Sequence, residues 1–534
     1  MEKHTKDNTD NNIDKQFRAW TNILLFSVGI CASSGLIYEL ALITMSTNIN
    51  GGGIVATSLI ISFYVASLGL GALAANKMLK NPARNFLIIE SILGLSGGLS
   101  SIFLYFLFAQ YGQEIYSTMF VIIITFIIGA LVGMEVPLLI TLIQNNKIST
   151  AEEVGKSVSK LNFSDYAGGL LGGLLWPFIL LPVFGIMKGV IIAGIINIAA
   201  ALCIGLFLFK PILKKSFIPC ISLLITSLLI MITAFVLSDN IKAIANNRLY
   251  ADPVIFSETT KYQDIVVTKY KKDKRLYLNG GLQFSTRDEY RYTESLVYPV
   301  LPNERFYNAN NEKNVLIIGG GDGLAARELV KYNFNVTQVE LDNRMIEIAK
   351  TLLKEENDGA LENDKVEIIT EDGFMWVREQ LKNPNHKKYT SIIIDLPDPD
   401  NTELARLYSQ EFYTMLSKLL DNEGKMVVQS SSPFSTPHIF WRINSTLDSV
   451  ENCVNVVPYH VHVPTFGDWG YNLCETSKNN IANIPEYVKD MKFLDKDNFE
   501  QAKVFGLDNQ KLELSPSTLD NPSIITDMRR GYER

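Results

Sequence analysis

The stretch Asn314-Val-Leu-Ile-Ile-Gly-Gly-Gly-Asp-Gly-Leu-Ala-Ala-Arg-Glu-Leu-Val330 decides the fold of the C-terminal half of the chain. It predicts a buried strand, a glycine-rich turn and the first turns of a helix. Gly319, Gly321 and Gly323 let the backbone turn tightly and approach a ligand without a clashing Cβ atom. This order indicates a nucleoside-binding α/β domain, although a glycine turn alone does not distinguish between nucleotide ligands.

Further strands and helices alternate after this turn. A helix is expected at Arg344–Glu355, and buried strands are expected at Asn335–Glu340, Val366–Thr370, Ser391–Asp395 and Lys425–Ser430. Strands that alternate with helices predict a parallel, doubly wound sheet. We therefore expect a Rossmann-like domain over residues 311–534.

A small β-rich subdomain is predicted just before it, over residues 250–310. Asp264–Tyr270 and Arg275–Leu278 are rich in β-forming residues, and Asn279-Gly280-Gly281 is typical of a turn. A helix is predicted at Glu289–Leu301. The C-terminal half thus consists of a β-rich part followed by an alternating α/β part.

Two acidic residues near the glycine turn indicate which nucleoside binds. Glu340 ends the second strand about 20 residues after the turn, where a carboxylate accepts hydrogen bonds from the ribose hydroxyls. Asp322 lies inside the turn, where its charge would repel a pyrophosphate and attract a cation. The pair therefore favours a sulfonium nucleoside of the S-adenosylmethionine class over a dinucleotide.

Two more acidic turns follow later strands of the predicted sheet. Asp372-Gly373 follows the third strand and is expected to contact the adenine, with a simple turn as the alternative. Asp395-Leu-Pro-Asp-Pro399 follows the fourth strand, at the edge where open sheets bind ligands. Its prolines stiffen the segment, so Asp395 and Asp398 are predicted to project into the cleft. A solvated acidic turn is the simpler interpretation of this segment.

The N-terminal half has a different composition. After a polar tail at residues 1–19, residues 20–238 are dominated by apolar runs, seven of which reach the roughly 20 residues that a membrane crossing needs. The runs are 20–44, 54–76, 86–109, 115–143, 164–183, 185–209 and 216–237. The regularly spaced polar residues of a soluble helical bundle are missing from them. These runs predict a multi-pass α-helical domain of the cell membrane, with the lipid bilayer as its partner.

Charged residues and cysteines exclude several other classes of protein. The net charge is −7 and no stripe of Lys and Arg is present, which argues against nucleic-acid binding. The cysteine spacing suggests neither a metal site nor a disulfide framework.

Glu39, Glu90 and Glu135 lie in or near apolar runs, so each should face the bundle interior, a cavity or an interface. They would form a polar pathway or substrate site, or else be protonated packing residues.

Several segments in order resemble the spermidine synthase (polyamine aminopropyltransferase) family, in its forms with an N-terminal membrane domain. The resemblance covers roughly residues 255–530. The segments are Tyr262–Ile265, Leu276–Gln283, Arg287–Glu289, Tyr292–Glu294, Gly319–Gly323, Glu340–Asp342, Asp395–Pro399, Leu407–Tyr413 and Ser517–Pro522. This chain departs from the family pattern at Asn279, Thr293 and Phe466, among other positions.

The resemblance implies a fold, a reaction and roles for single residues. The fold would be class I methyltransferase-like. The reaction would transfer an aminopropyl group from decarboxylated S-adenosylmethionine, a co-substrate, to a diamine such as putrescine, giving spermidine and methylthioadenosine. No metal or tightly bound cofactor is expected, and a homodimer is one expected assembly. Asp395 would be the catalytic base or orienting group, with Asp322 and Asp398 binding the ammonium. The nucleoside would be bound by Gln263, Gln283, Gly319, Gly321, Glu340, Asp372 and Gly373.

The side of the membrane on which the C-terminal domain lies is left open by two conflicting arguments. Basic residues concentrate before the first run and after the second, fourth and sixth, which places the N-terminus in the cytoplasm. Seven crossings would then put the C-terminal domain outside, whereas decarboxylated S-adenosylmethionine is a cytoplasmic metabolite. If the glycine-rich run 164–183 were re-entrant, the number of crossings would be even and the domain would lie inside.

Two other functions fit parts of the sequence. A methyltransferase that uses S-adenosylmethionine shares the predicted sheet and Glu340. Alternatively, the membrane half is a polyamine transporter or sensor, for which Glu39 and Glu135 are the motivation, and the C-terminal half is a non-catalytic nucleoside-binding domain.

Overall fold

The structure is a computed structural model that describes residues 2–50, 54–111, 114–145, 151–309 and 313–531. The chain divides into two compact units, Met1–Ala251 and Asp252–Arg534. The first is helical, and the second contains two β-sheets.

Eight α-helices form the N-terminal unit within the described residues. They are α1 (Glu2–Asn50), α2 (Ile54–Ala74), α3 (Pro82–Tyr111), α4 (Glu114–Asn145), α5 (Ala151–Leu175), α6 (Leu181–Cys203), α7 (Lys210–Leu213) and α8 (Phe217–Leu249). A π-helical turn, Trp176–Leu180, joins α5 to α6. In the part of the chain that the structure describes, six helical segments are long and apolar enough to cross a membrane: Ile23–Thr47, Ala56–Lys77, Pro82–Phe108, Tyr116–Asn145, Gly155–Leu208 and Lys210–Lys242.

The fifth of these segments contains two of the predicted runs and reverses direction at Gly185. Gly155–Leu208 has 54 residues, and Gly185 interrupts it with a φ of 71° and a ψ of 174°. In a straight helix, residues 180 and 189 would lie about 13 Å apart along the axis. A Cβ atom at Gly189 would instead lie 3.3 Å from the carbonyl oxygen of Leu180. The chain therefore folds back into two antiparallel legs.

Both legs pack against α1 at the same height. A Cβ atom at Gly172, in the first leg, would lie 2.3 Å from the carbonyl oxygen of Ser33. Ser34 Oγ donates a 3.4 Å hydrogen bond to the carbonyl oxygen of Ala193, in the second leg. Glycine at 172 permits this approach, because any side chain there would collide with the α1 backbone.

The acidic residues of the apolar runs face the interior of the helical unit, as predicted. Glu39 is 8% exposed, Glu90 is 0% exposed and Glu135 is 3% exposed. Asn197 Nδ2 donates a 2.9 Å hydrogen bond to Glu90 Oε2. These polar groups lie inside the unit, while large apolar side chains cover much of its outside.

The second unit begins with a small antiparallel sheet. Its strands, in sheet order, are β1 (Val254–Thr259), β2 (Asp264–Tyr270), β3 (Asp273–Leu278) and β4 (Gly281–Ser285). β2 has the predicted bounds. Asn279 and Gly280, with φ angles of 49° and 82°, form the tight turn between β3 and β4. Such positive φ angles suit Asn and Gly.

The larger sheet has seven strands in the order β10-β11-β9-β8-β5-β6-β7. They are β5 (Asn314–Gly319), β6 (Asn335–Glu340), β7 (Val366–Thr370), β8 (Tyr389–Asp395), β9 (Leu420–Gln429), β10 (Asn455–Val463) and β11 (Gly467–Glu475). Strands β5 to β9 are parallel, whereas β10 and β11 are antiparallel to their neighbours. The prediction of a wholly parallel sheet is therefore wrong for this edge. The short turn at Gly467, with a φ of 87°, reverses the chain and forces an antiparallel pair.

Ten helices accompany the two sheets within the described residues. They are α9 (Glu289–Val297), α10 (Glu304–Ala309), α11 (Leu324–Lys331), α12 (Asn343–Thr351), α13 (Gly373–Gln380), α14 (Thr402–Ala405), α15 (Gln410–Ser417), α16 (Pro437–Asp448), α17 (Lys496–Ala502) and α18 (Ser523–Gly531). Alternate residues of β5 enter different hydrophobic cores: Val315 and Ile317 belong to one, Leu316 and Ile318 to the other. The continuous apolar run at β5 is thus explained by burial on both faces.

A disulfide links two parts of the second unit. Cys453 follows α16 and Cys474 lies in β11, with their Cα atoms 5.4 Å apart. The expectation that the cysteines form no disulfide framework is therefore wrong. The two residues are 21 positions apart and match no recognised spacing, so only the fold brings them together. Cys31, Cys203 and Cys220, all in the helical unit, are free.

Candidate active site

One cleft of about 580 Å³ opens at the carboxyl ends of the parallel strands. Its walls come from β5, β6 and β8, from the small sheet and from the loops after β8 and β9. All ten predicted site residues line it: Gln263, Gln283, Gly319, Gly321, Asp322, Glu340, Asp372, Gly373, Asp395 and Asp398. The fold therefore brings together residues that are spread over the chain from β2 onward.

The glycine turn packs directly against the end of β8. Gly320 N donates a 2.9 Å hydrogen bond to the carbonyl oxygen of Asp395. A Cβ atom at Gly319, whose φ is 86°, would lie only 2.1 Å from that oxygen. A glycine is thus required here by both conformation and space. The contact brings the acidic turn that contains Asp322 close to Asp395.

Glu340 lies beneath the turn at the end of β6. Its Oε1 accepts a 2.9 Å hydrogen bond from Asp342 N, and burial raises the pKa of Glu340 to about 7. A Cβ atom at Gly321 would lie 2.8 Å from Glu340 Oε2, so a side chain there would displace the carboxylate. Because the glycine leaves this space free, Glu340 can face the cleft beside the turn.

Asp342, which the sequence did not suggest as a site residue, joins the small sheet to the nucleoside side of the cleft. Its Oδ2 accepts hydrogen bonds from Thr260 Oγ1, at 2.7 Å, and from Gln263 Nε2, at 3.2 Å. Gln283 Nε2 donates a 3.1 Å hydrogen bond to the carbonyl oxygen of Gly281. Both predicted glutamines thus line the cleft from the β-rich part, with Gln263 held by Asp342 and Gln283 held by its own turn.

Asp322 lies inside the glycine turn, and Gly323 separates it from α11. Its Oδ1 accepts a 2.9 Å hydrogen bond from Leu324 N. Burial, together with repulsion from Asp395, raises the pKa of Asp322 to about 7. A cation in the cleft would reverse this effect, because it would favour the ionised carboxylate.

Asp395 and Tyr292 form a hydrogen-bonded pair. The Tyr292 hydroxyl, from α9, donates a 2.6 Å hydrogen bond to Asp395 Oδ1. Burial raises the pKa of Asp395 to about 6, and this hydrogen bond opposes the rise. Tyr292 belongs to a recognised sequence segment but was not predicted to be a site residue. No local pattern indicated the contact, because it joins a helix to a strand end 103 residues later.

Asp398 is held from β9 and the loop after it. Ser431 Oγ donates to Asp398 Oδ2 at 3.3 Å, and Gln429 Nε2 approaches Asp398 Oδ1 at 3.5 Å. Burial raises the pKa of Asp398 to about 6. Gln429 also donates to the hydroxyl of Tyr408 at 2.8 Å, which fixes its side-chain position. Neither Gln429 nor Ser431 was predicted from the sequence.

Asp372 caps a helix and forms an ion pair. Its Oδ1 accepts a 3.0 Å hydrogen bond from Met375 N at the start of α13, and its Oδ2 binds the Arg406 guanidinium. Among the described residues that line the cleft, Arg406 is the one basic side chain. Its charge is matched by Asp372. Asp322, Glu340, Asp395 and Asp398 thus have no basic partner within the described lining of the cleft.

An aromatic wall, made of Tyr292, Phe466 and Trp469, lines the cleft beside Asp395, and the buried ring of Tyr471 packs behind it. The ring of Tyr292 lies 6.0 Å from Phe466, 6.5 Å from Trp469 and 5.7 Å from Tyr471, measured between ring centroids. The last three come from β11 and the turn before it. Such a wall can pack against the methylene chain of an organic amine and can favour its charge through cation–π contact.

Comparison with known proteins identifies the family. Residues 289–486 match the family model described as "Spermine/spermidine synthase domain". The polyamine aminopropyltransferase of Corynebacterium efficiens is 50% identical over 519 residues, which cover 97% of this chain and 97% of that protein. The polyamine aminopropyltransferase of Mycobacterium tuberculosis is 45% identical over 518 residues, which cover 96% and 97%.

Two solved spermidine synthases are more distant. One is from Thermotoga maritima, and the other is in complex with the transition-state analogue AdoDATO. Each has a TM-score of 0.42 and 24% sequence identity, and the alignments cover 47% of this chain and 84% or 85% of theirs. The curated relatives, in contrast, match along nearly their whole length, including the helical unit. The chain belongs to the polyamine aminopropyltransferase family.

Proposed function

We propose that the carboxylates of the cleft divide the work of aminopropyl transfer between them. The reaction takes the aminopropyl group of decarboxylated S-adenosylmethionine to a diamine such as putrescine, and it gives spermidine and methylthioadenosine. The amine nitrogen forms a bond to the carbon next to sulfur. The carbon–sulfur bond breaks with its electron pair going to sulfur, and the amine loses one proton.

One observation supports this proposal above the others. Asp322, Asp395 and Asp398 all face the cleft, and its one described basic side chain, Arg406, is paired with Asp372. Both substrates are cations, since one carries a sulfonium and an ammonium and the other carries ammonium groups. A cleft with surplus carboxylates favours such ligands and disfavours the carboxylate of ordinary S-adenosylmethionine.

The residues take roles according to their position in the cleft. Asp322 and Asp398 bind the ammonium of the aminopropyl arm. Gln263, Gln283, Glu340 and the glycine turn hold the nucleoside, with Asp372-Gly373 on the adenine side. Holding the arm and the acceptor together supplies proximity, which is a large part of the catalysis.

Asp395 acts on the acceptor amine. A free amine has a pKa near 10 and is mostly protonated at neutral pH, so it must lose a proton before it attacks. Asp395 accepts or relays that proton, which is an effect worth about 10²–10⁴-fold in rate. The hydrogen bond from Tyr292 orients the carboxylate and keeps it ionised.

The test is a product assay on the purified full-length protein. Putrescine and decarboxylated S-adenosylmethionine should together release methylthioadenosine and spermidine, and omission of the amine should stop the release. A matched binding measurement with S-adenosylmethionine addresses the methyltransferase alternative. Tighter binding of the carboxylated nucleoside, with methyl transfer to an added amine, would contradict the proposal.

We propose that the helical unit crosses a lipid bilayer of the cell membrane. The proposed domain limits are 20–238 for the membrane domain, 250–310 for the small β-rich subdomain and 311–534 for the Rossmann-like domain. Large apolar side chains cover its outside: Phe163, Phe178, Phe207 and Ile218 are 73–75% exposed, which suits contact with lipid. The protein should stay with membranes during an alkaline wash and leave them only in detergent.

The expected homodimer stays a prediction, and light scattering of the detergent-solubilised protein tests it.

A further inference from the structure

The helix ends of the N-terminal unit separate into two faces. Lys80 and Arg84, Asn145 at the end of α4, and Leu213 and Ser216 before α8 line a single cavity. These segments therefore meet at one end of the unit, which we call the basic face. Described basic residues cluster in the segments at this face: Lys77, Lys80, Arg84, Lys156, Lys160, Lys210, Lys214 and Lys215.

The chain leaves the helical unit at the opposite end. Lys188, which follows the reversal at Gly185, forms a 2.8 Å ion pair with Asp239 near the end of α8. The tip of the hairpin and the end of α8 therefore lie at the same face. The basic residues of the described segments there are Lys188, Lys242 and Arg248, against eight at the basic face, and the charge of Lys188 is matched by Asp239. Positive residues favour the cytoplasmic side, so α8 should end on the other side of the membrane.

The cysteines of the second unit give independent evidence that this unit lies in a non-cytoplasmic compartment. Its two cysteines, Cys453 and Cys474, are joined in a disulfide, and Cys474 is fully buried. The unit contains no other cysteine, so this bond leaves it without a free thiol. Structural disulfides form and persist in oxidising compartments and are rare in the reducing cytoplasm.

We propose that the catalytic unit lies on the non-cytoplasmic side of the membrane, where Cys453 and Cys474 become oxidised to the disulfide. This inference rests on the proposal that the helical unit crosses the bilayer. Aminopropyl transfer then takes place outside the cytoplasm. Since a sulfonium nucleoside is permanently charged and does not cross an apolar layer unaided, a transport step must supply it to this side.

The test uses two matched reporter cysteines in the full-length protein. Cys31→Ser, Cys203→Ser and Cys220→Ser first remove the free thiols. Lys272→Cys, in the exposed turn between β2 and β3, then reports on the catalytic unit, and Lys215→Cys reports on the basic face. A maleimide that does not cross membranes is added to intact bacteria that express each variant. We expect labelling at 272 in intact cells and at 215 only after permeabilisation.

Two further readouts separate the possible failures. Labelling at 215 in intact cells, or at 272 only after permeabilisation, overturns the proposed side. Free thiols at Cys453 and Cys474 in most molecules, trapped by alkylation without reductant, also overturn it. A protein that leaves the membranes during an alkaline wash contradicts the bilayer proposal instead, and methylthioadenosine release from the same membranes in detergent tests the reaction separately.

Discussion

The Tyr292 hydroxyl donates a 2.6 Å hydrogen bond to Asp395 Oδ1, which couples an aromatic wall to the proposed proton acceptor. The bond stabilises the ionised carboxylate, against burial that raises the pKa of Asp395 to about 6. Since only the ionised form accepts a proton, we expect activity to fall as the pH drops through about 6. The tyrosine therefore extends the active range toward lower pH.

The Tyr292→Phe substitution should move the acid limb of activity to higher pH. Loss of one hydrogen bond to the carboxylate is worth roughly 1.5 kcal/mol, and hence about one unit in the pKa of Asp395. We expect kcat at pH 7 to fall only roughly 2-fold, because a rise of about one unit leaves roughly half of the carboxylates ionised there. The pH profile of kcat/KM measures this. Tyr290→Phe, which removes a hydroxyl from the same helix, is the control, and an unshifted limb in Tyr292→Phe would refute the coupling.

Asp322→Asn should stabilise the ligand-free catalytic unit at alkaline pH. The folded state raises the pKa of Asp322 to about 7, so it binds more protons than the unfolded state between the two pKa values. This contribution to stability is present at low pH and is lost as the pH rises through about 7. A neutral amide avoids that loss. Because this loss begins above the ordinary pKa of an aspartate, about 4, and is complete above about 7, we expect a smaller gain at pH 5 than at pH 8, by roughly 2–3 kcal/mol.

Thermal unfolding at the two pH values checks this prediction, with aminopropyl transfer assayed in parallel. The variant should be inactive if Asp322 binds the ammonium of the arm as proposed. Equal effects on stability at pH 5 and pH 8 would show that the charge of Asp322 is not responsible.

Gly321→Ala should weaken nucleoside binding. The new Cβ atom would lie 2.8 Å from Glu340 Oε2 and 2.9 Å from Met345 Cγ, so the carboxylate must move. We expect the dissociation constant for methylthioadenosine to rise at least about 10-fold, the loss of one hydrogen bond to a charged group. Gly155→Ala, where the structure leaves open space, should have no effect. Unchanged affinity in Gly321→Ala would remove Glu340 from the binding site.

Loss of the disulfide should destabilise the catalytic unit. The bond joins two residues that are 21 positions apart in the sequence. For a loop of this length, loop-closure entropy predicts that the disulfide stabilises the folded state by about 3 kcal/mol. Cys453→Ser combined with Cys474→Ser should lower the denaturant midpoint for loss of nucleoside binding. Cys203→Ser, at a free cysteine, is the control. The same midpoint in the unsubstituted protein, the double variant and Cys203→Ser would indicate that the thiols of Cys453 and Cys474 are not joined in the native enzyme.

The sequence was informative wherever a property is local. The buried strand β5 and the acidic residues at strand ends follow from apolar runs and turn chemistry, and Asp322, Glu340 and Asp395 were predicted in this way. The residues that support them were not, because contacts such as that of Tyr292 with Asp395 depend on the tertiary fold. The same holds for the pairing of Cys453 with Cys474.

The antiparallel edge of the large sheet is also indicated by a pattern in the sequence, the alternation of apolar and polar residues in β10. In β10, Tyr459, Val461 and Val463 are buried and alternate with His460 and His462, which is the two-residue period of a strand. The apolar positions are single residues rather than a continuous run. A search for buried parallel strands therefore passes over them, although the alternation itself is typical of an antiparallel edge.

Asp395→Asn provides the most direct test of the central claim, that Asp395 takes the proton of the attacking amine in aminopropyl transfer. The amide keeps the shape of the side chain and removes its ability to accept a proton. With putrescine and decarboxylated S-adenosylmethionine, we expect kcat to fall by at least about 10²-fold while the affinity for methylthioadenosine stays nearly unchanged. Normal turnover in this variant would contradict the account.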